Sequence, residues 1–145
     1  MEIYTIGFTR KSAADFFGVL NGAGIEQLVD VRLNNVSQLA GFTKRDDLAF
    51  FMKAICGATY LHEPLLAPTQ KMLDRYKKHG GRWAEYEAEF LDLMAVRRIE
   101  ETLDRSVFEL RTVLLCSEPK PDRCHRRLVV EYLADRWAEI SAVHL

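Results

Sequence analysis

Two short motifs in the last third of the chain bring sulfur, imidazole, carboxylate and guanidinium groups together. They are Cys116-Ser117-Glu118 and Cys124-His125-Arg126. A cysteine in the first turn of a helix, beside cationic side chains, ionises more readily than a free cysteine. Cys124 is therefore a candidate nucleophile or redox centre, with His125 beside it as a catalytic partner. The alternative is that Cys124 is a small buried residue that packs its helix on the rest of the fold.

Basic residues surround the second motif. Residues 119–127 contain one acidic residue, Asp122, and four basic residues: Lys120, Arg123, Arg126 and Arg127. Because helix N-termini bind anions through their free N–H groups and dipole, this segment predicts a site for phosphate or a similar anion. Arg32 and Arg126 are the expected anion-binding residues, since arginine binds oxyanions in a bidentate manner. Solvated ion pairs with neighbouring acids are the alternative explanation.

Carboxylates lie at the ends of two predicted strands. Asp30 and Glu118 would each accept an arginine, or one of them would act as a general base if burial raised its pKa. Asp30 and Arg32 are two residues apart on one strand and share a face, which favours a structural pair. His62 ends another strand, where it would be an acid–base group or a turn residue.

The cysteines and histidines lack the spacing of a structural zinc site. Cys116, Cys124 and His125 contain no pair of cysteines separated by two to four residues, so no metal ligand and no cofactor are assigned. A three-ligand catalytic zinc site, with or without His62, stays open as an alternative. A phosphatase-like loop is disfavoured, because two of the six residues between Cys116 and Arg123 are prolines without N–H groups. A redox pair of Cys116 and Cys124 would need Cα atoms within about 7 Å.

Strand-like and helix-like patterns alternate along the chain. Apolar runs predict five strands at residues 3–6, 28–31, 59–62, 112–116 and 142–145. Helical spacing predicts helices at about 12–20, 43–55, 69–78, 83–103 and 123–138, with Ser12 and Asp122 as N-caps of the first and last. The alternation predicts one three-layer α/β domain over residues 1–145, in which a mainly parallel sheet of about five strands carries helices on both faces.

The chemically active residues follow the predicted strands. In an open parallel sheet, ligands bind beyond the carboxyl ends of the strands. Thr9 and Arg10 come directly after the first strand, as Arg32 and Glu118 come after others. We therefore add Thr9 and Arg10 to the expected anion-binding residues.

The composition is that of an ordinary globular protein. The 145 residues are 48% hydrophobic and 28% charged, with a net charge of -1 and three cysteines. This balance excludes a protein that coats polyanions, and no apolar stretch is long enough for a transmembrane helix. The odd cysteine count and the acidic second residue are unlike a secreted chain, so a cytoplasmic location is expected. The expected partner is a small anionic ligand, with nucleic acid as an open alternative and no membrane. The oligomeric state is not determined.

Together these motifs resemble the domain of unknown function 488 family. The resemblance rests on motifs in this order: Thr5-Ile6-Gly7, Val29-Asp30-Val31-Arg32, Tyr60-Leu61-His62, Leu66-Ala67-Pro68-Thr69, Trp83 with Tyr86-Glu87, and the two cysteine motifs. It spans essentially the whole chain and implies a compact α/β domain of bacterial or archaeal intracellular origin. The family name assigns no activity. This sequence departs from the family at Phe8-Thr9, where a histidine followed by serine or threonine is common.

Two hypotheses of function follow. The first is an enzyme for a phosphorylated or otherwise anionic substrate. Arg32 and Arg126 would hold the anion, Cys124 would be the nucleophile or redox centre, and Asp30 or Glu118 would position or deprotonate. The second is a non-catalytic module that binds a small anion, a nucleic acid or a protein. It would use the same arginines and no reactive thiol.

Overall fold

A computed structural model describes residues 1–36 and 40–145. It confirms the predicted α/β class. The strands are β1 Glu2–Gly7, β2 Gln27–Asp30, β3 Thr59–His62, β4 Thr112–Cys116 and β5 Ser141–His144. The α-helices of the described part are α1 Ala13–Gly22, α2 Arg45–Phe51, α3 Gln70–Leu73, α4 Trp83–Val96, α5 Ile99–Thr102 and α6 His125–Arg136.

The five strands form one parallel sheet in the order β3-β2-β4-β1-β5. From β1 the chain moves towards the β3 edge of the sheet to reach β2. From β4 it moves towards the opposite edge to reach β5. The adjacent strands β1 and β4 thus have connections that run in opposite directions. This is the topological switch point at which open α/β sheets bind ligands.

Helices cover both faces of the sheet, because alternate strand residues point to opposite faces. Leu114 and Cys116 of β4 belong to the core beneath α4, α5 and α6. Val113 and Leu115 of the same strand belong to the core beneath α1 and α2. The side chain of Cys116 therefore points to the α4–α6 face.

Several helix boundaries differ from the sequence prediction. Ser12 caps α1 as predicted, through a hydrogen bond from the Asp15 amide. The prediction that Asp122 caps the last helix is wrong: the Cys124 amide donates to the Pro121 carbonyl, and α6 begins at His125 with Cys124 as its N-cap residue. This hydrogen bond closes a turn within the proline-containing loop, so the regular helix starts only after that turn.

The other predicted helices are interrupted. The helix predicted over 83–103 divides where Arg98 takes a left-handed conformation with φ 53°. The predicted helices at 43–55 and 69–78 each change from α to π geometry, at Met52 and Asp74 respectively. None of the helices in the described ranges has the length and apolar character needed to cross a bilayer.

Candidate functional site

A cavity of about 320 Å³ lies at the switch point between β1 and β4. Phe8 after β1, residues 32–34 after β2 and residues 116–118 at the end of β4 contribute to its lining. Residues 123–125 add the start of α6, and several residues between positions 68 and 86 form the opposite wall. The volume is at the lower end of the range of small-molecule sites.

Gly7 allows the loop after β4 to lie directly on the end of β1. A Cβ atom at Gly7 would stand 1.6 Å from the Glu118 carbonyl oxygen and 2.6 Å from its carbon. The same carbonyl accepts a 2.6 Å hydrogen bond from Nη1 of Arg126. The Thr9 amide donates to the Ser117 carbonyl at 3.1 Å. These contacts fix the loop that joins the two cysteine motifs.

Three potential ligand or catalytic side chains converge at this loop. The Sγ atoms of Cys116 and Cys124 and a ring nitrogen of His125 all lie within 4.8 Å of one another. Cys116 Sγ is 3.6 Å from His125 Nδ1, and His125 Nε2 is 2.7 Å from the Val31 carbonyl oxygen. A carbonyl oxygen can only accept, so Nε2 carries a proton and Nδ1 faces the sulfur. We call these three residues the sulfur–imidazole cluster.

The cluster polarises its two sulfurs differently. The pKa of the Cys116 thiol lies well below its ordinary value, because Cys124 donates a hydrogen bond to it and His125 lies beside it. Burial raises the pKa of Cys124 well above its ordinary value. Burial alone would lower the pKa of His125, but the charge and hydrogen bond of Cys116 outweigh it and raise that pKa. Cys116 is therefore the more acidic of the two thiols, rather than Cys124 as the helix-start argument suggested.

Arg126 is completely buried beside the cluster but is not one of the residues that line the cavity. Its Nε donates to the Thr5 hydroxyl at 3.3 Å, and its Nη1 donates to Glu118. Its Nη2 atom is buried and has no hydrogen-bond partner among the described residues. In this arrangement the guanidinium links β1 to the loop after β4 and places positive charge near Cys124.

Asp30 and Arg32 form a second buried polar group, on the α1–α2 side of the sheet. The guanidinium of Arg32 donates to both carboxylate oxygens of Asp30 at 2.8 Å, and it also donates to the Thr43 carbonyl at 2.6 Å. The Tyr60 hydroxyl donates to Asp30 at 2.6 Å. Burial and the hydrogen bond to Asp30 raise the pKa of Tyr60. These contacts occupy Asp30 and leave it without a free lone pair for base catalysis.

The wall opposite the cluster is aromatic and basic. The Trp83 and Tyr86 rings are stacked, with centroids 5.3 Å apart, and Tyr76 packs against both. Lys77 is paired with Glu118, and Lys78 is paired with Asp74. Arg123 lines the cavity and has no ion pair among the described residues. Four cationic and two acidic side chains line the cavity in all: Arg32, Lys77, Lys78, Arg123, Asp74 and Glu118.

The structure brings together some of the residues proposed from sequence and separates others. Cys124, His125, Glu118 and Arg32 line the cavity, whereas the other four proposed residues do not. Those four are Asp30, Arg126, Thr9 and Arg10. His62 also lies apart from the cluster, since its Nε2 bonds to the Arg32 carbonyl at 2.8 Å.

Sequence reasoning missed the wall between positions 76 and 86 and underrated Cys116. The helical spacing of Trp83 and Tyr86 is typical of a stripe that is buried in the core. Tyr86 is buried, whereas Trp83 is only partly buried and faces the cavity. The position of Cys116 at the end of the central strand was the available signal, because strand ends at a switch point face the ligand site.

The fold and site define a class: a parallel α/β protein with a sulfur–imidazole cluster at the switch point of its sheet. Comparison with known families is more specific. The chain matches the family Domain of unknown function DUF488 over residues 12–133 and belongs to that family. No curated protein gives a significant match to the chain. No solved structure gives a significant match either.

Proposed function

We propose that the protein is an enzyme that binds a small anionic substrate in the switch-point cavity and transforms it at the sulfur–imidazole cluster. The observation that carries this proposal is that Cys116, Cys124 and His125 all line one cavity at the switch point. Buried sulfurs that only fill space need no oriented imidazole, yet a 2.7 Å hydrogen bond to Val31 fixes the ring of His125.

In this proposal the sulfur–imidazole cluster supplies the catalytic groups, rather than the carboxylates of Asp30 and Glu118. Asp30 is held by Arg32 and Tyr60, and Glu118 is held by Lys77. The Asp30 carboxylate is therefore fully occupied, and the Glu118 carboxylate is ion-paired before a substrate binds. The two sulfurs and the imidazole at the cavity floor are therefore the groups on which the transformation depends.

The lining indicates the kind of substrate. Arg123 supplies a cation without a competing ion pair among the described residues, and an anion can displace Glu118 from Lys77. The faces of Trp83 and Tyr86 offer a surface for a planar group. These features favour a small phosphorylated or nucleotide-like molecule with a planar part. In this proposal Arg123 and Lys77 take the anion-binding role first assigned to Arg32 and Arg126.

Binding is tested by titrating phenyl phosphate and inorganic phosphate into a Trp137→Phe variant, in which Trp83 is the remaining tryptophan. We expect phenyl phosphate to change Trp83 fluorescence. We expect Arg123→Gln to weaken its binding by about 10- to 100-fold, because a hydrogen bond to a charged group contributes about 1.5–3 kcal/mol. Arg45→Gln is the matched control, since Arg45 is an exposed arginine on α2, outside the cavity, that forms an ion pair with Asp46. Equal effects of the two variants would contradict the proposed anion site.

Catalysis is tested by incubating the protein with a panel of phosphate monoesters, nucleotides and thioesters and following the products by mass spectrometry. Turnover that Cys116→Ala abolishes while phenyl phosphate still binds would support the enzyme. Binding without turnover of any panel member would instead support the non-catalytic module.

A further inference from the structure

We propose that Cys116, Cys124 and His125 bind a zinc ion, with its fourth coordination position open to the cavity. The metal site stands independently of the proposed substrate, and only its use in catalysis rests on the proposed function. The first argument is donor type. Two sulfurs and one imidazole nitrogen are the donors of a Cys₂His catalytic zinc site, and they do not suit magnesium or calcium.

The second argument is distance. Zinc–sulfur bonds of about 2.3 Å and zinc–nitrogen bonds of about 2.0–2.1 Å place the two donors about 3.6 Å apart on a tetrahedral edge. Cys116 Sγ and His125 Nδ1 are separated by 3.6 Å. The Cys124 sulfur also lies within 4.8 Å of both atoms. Small side-chain rotations would therefore complete a three-donor face.

The third argument is the orientation of the imidazole. Zinc-binding histidines characteristically donate their second ring N–H to a carboxylate, a backbone carbonyl or water, which fixes the ring and directs the other nitrogen at the metal. His125 donates from Nε2 to the Val31 carbonyl at 2.7 Å, and its Nδ1 faces Cys116.

The fourth argument is burial combined with access. Cys116, Cys124 and His125 are 4%, 2% and 6% exposed, and two thiolates with a neutral imidazole balance the charge of a divalent ion. All three residues nevertheless line the cavity, so water or substrate reaches the remaining position. Phe8 lines the same cavity and offers no ligand atom. An open position is the mark of a catalytic rather than a structural zinc site.

The spacing argument from sequence disfavours only a structural zinc knuckle and leaves a three-ligand zinc site open as an alternative. Here Cys116 comes from the end of β4, whereas Cys124 and His125 come from the start of α6. The loop between them folds back over Gly7, which brings distant ligands together without a short cysteine pair.

The first experiment uses the full chain without substitutions. The protein is stripped with a chelator and titrated with Zn²⁺ against a chromophoric competitor, and the bound metal is measured by mass spectrometry. We expect about one zinc ion per chain. The Co²⁺-substituted protein should show a sulfur-to-cobalt charge-transfer band. Failure to retain zinc against the competitor, together with no such band, would overturn the proposal.

The second experiment identifies the ligands. Cys116→Ser, Cys124→Ser and His125→Gln should each weaken zinc binding by more than about 100-fold, since even residues that only orient zinc ligands change affinity 10–100-fold. Cys56→Ser is the matched control, because Cys56 is a free cysteine outside the cluster. The control should bind zinc like the unsubstituted chain. An equal loss in the control would overturn the assignment.

A third measurement requires no variant to fold. Alkylation of the unsubstituted protein, followed by peptide mass spectrometry, should show that added zinc slows labelling of Cys116 and Cys124 and leaves Cys56 unchanged. Labelling of all three at unchanged rates would contradict the site. Zinc binding without phenyl phosphate binding would leave the metal site intact and refute the proposed substrate class. The reverse result would refute the metal site alone.

Discussion

Replacement of Gly7 by alanine tests the contact that joins β1 to the loop after β4. The new Cβ would stand 1.6 Å from the Glu118 carbonyl oxygen and 3.0 Å from Nη1 of Arg126. The obstacle is backbone, so no side-chain rotation can relieve it. The loop must move away, and the 2.6 Å hydrogen bond from Arg126 to Glu118 would be lost with it.

The magnitude follows from these two effects. Overpacking of a buried position destabilises by about 1–3 kcal/mol. Loss of a hydrogen bond to a charged group adds about 1.5–3 kcal/mol. We therefore expect Gly7→Ala to lower the free energy of unfolding by about 2.5–6 kcal/mol, a large part of the 5–15 kcal/mol typical of a whole protein.

Urea unfolding followed by circular dichroism measures this difference. With a slope of about 2 kcal/mol/M, the midpoint should fall by roughly 1.2–3 M. Gly18→Ala is the matched control, because Gly18 lies inside α1 and, apart from its own helix backbone, no described atom lies within 4 Å of the added Cβ. Alanine should stabilise that helix by about 0.5–1 kcal/mol. A Gly7→Ala midpoint at or above that of the unsubstituted protein would refute the close contact.

Two further predictions concern buried and exposed carboxylates. Asp30→Asn leaves Arg32 buried without its anionic partner and should lower the free energy of unfolding by about 3–5 kcal/mol. Asp46→Asn breaks an exposed pair and should change it by less than about 1 kcal/mol, and equal urea midpoints of the two variants would contradict this account. The hydrogen bond from Tyr132 lowers the pKa of Glu100. The hydrogen bond therefore stabilises the folded state fully at pH values above the unfolded-state pKa of Glu100. This stabilisation is lost as the pH falls through the lower pKa of Glu100 in the folded state. Tyr132→Phe should raise the Glu100 pKa in a carboxyl NMR titration, and an unchanged value would show that the hydrogen bond has no such effect.

The sheet could be predicted from sequence because its strands are short apolar runs with clear ends. The runs at 59–62 and 112–116 match β3 and β4 residue for residue, and the other strands shift by only one residue at either end. The signal is strongest for β4, which is buried at every position and reads as a continuous apolar run. The class of the fold followed from their alternation with helices.

The start of α6 could not be predicted from local preferences. Asp122 is a favourable capping residue, but such a cap contributes only about 1 kcal/mol. The loop before it is fixed by contacts with β1, which are distant in sequence, and by the turn that ends at Cys124. The consequence is chemical, because Cys124 becomes the N-cap residue and His125 the first helical residue, beside Cys116.

The cavity wall could not be predicted from sequence for a different reason. A helix stripe such as Trp83 and Tyr86 has the same spacing whether it packs on a core or borders a cavity. Whether the stripe packs on the core or borders a cavity depends on where residues 70–78 lie in three dimensions. No short motif in the sequence indicates that position. Lys77 and Lys78 likewise have the pattern of solvated surface residues.

The two buried polar groups are coupled through one peptide segment. Asp30 and Arg32 point to the α1–α2 side, whereas the Val31 side chain belongs to the core on the α4–α6 side. The Val31 carbonyl accepts the hydrogen bond that orients His125. The pair and the cluster are thus neighbours of one peptide, and the Val31 amide is held separately by a hydrogen bond to the Leu115 carbonyl. Loss of the pair should lower the stability of the protein, while the molecules that remain folded keep His125 oriented by the same carbonyl.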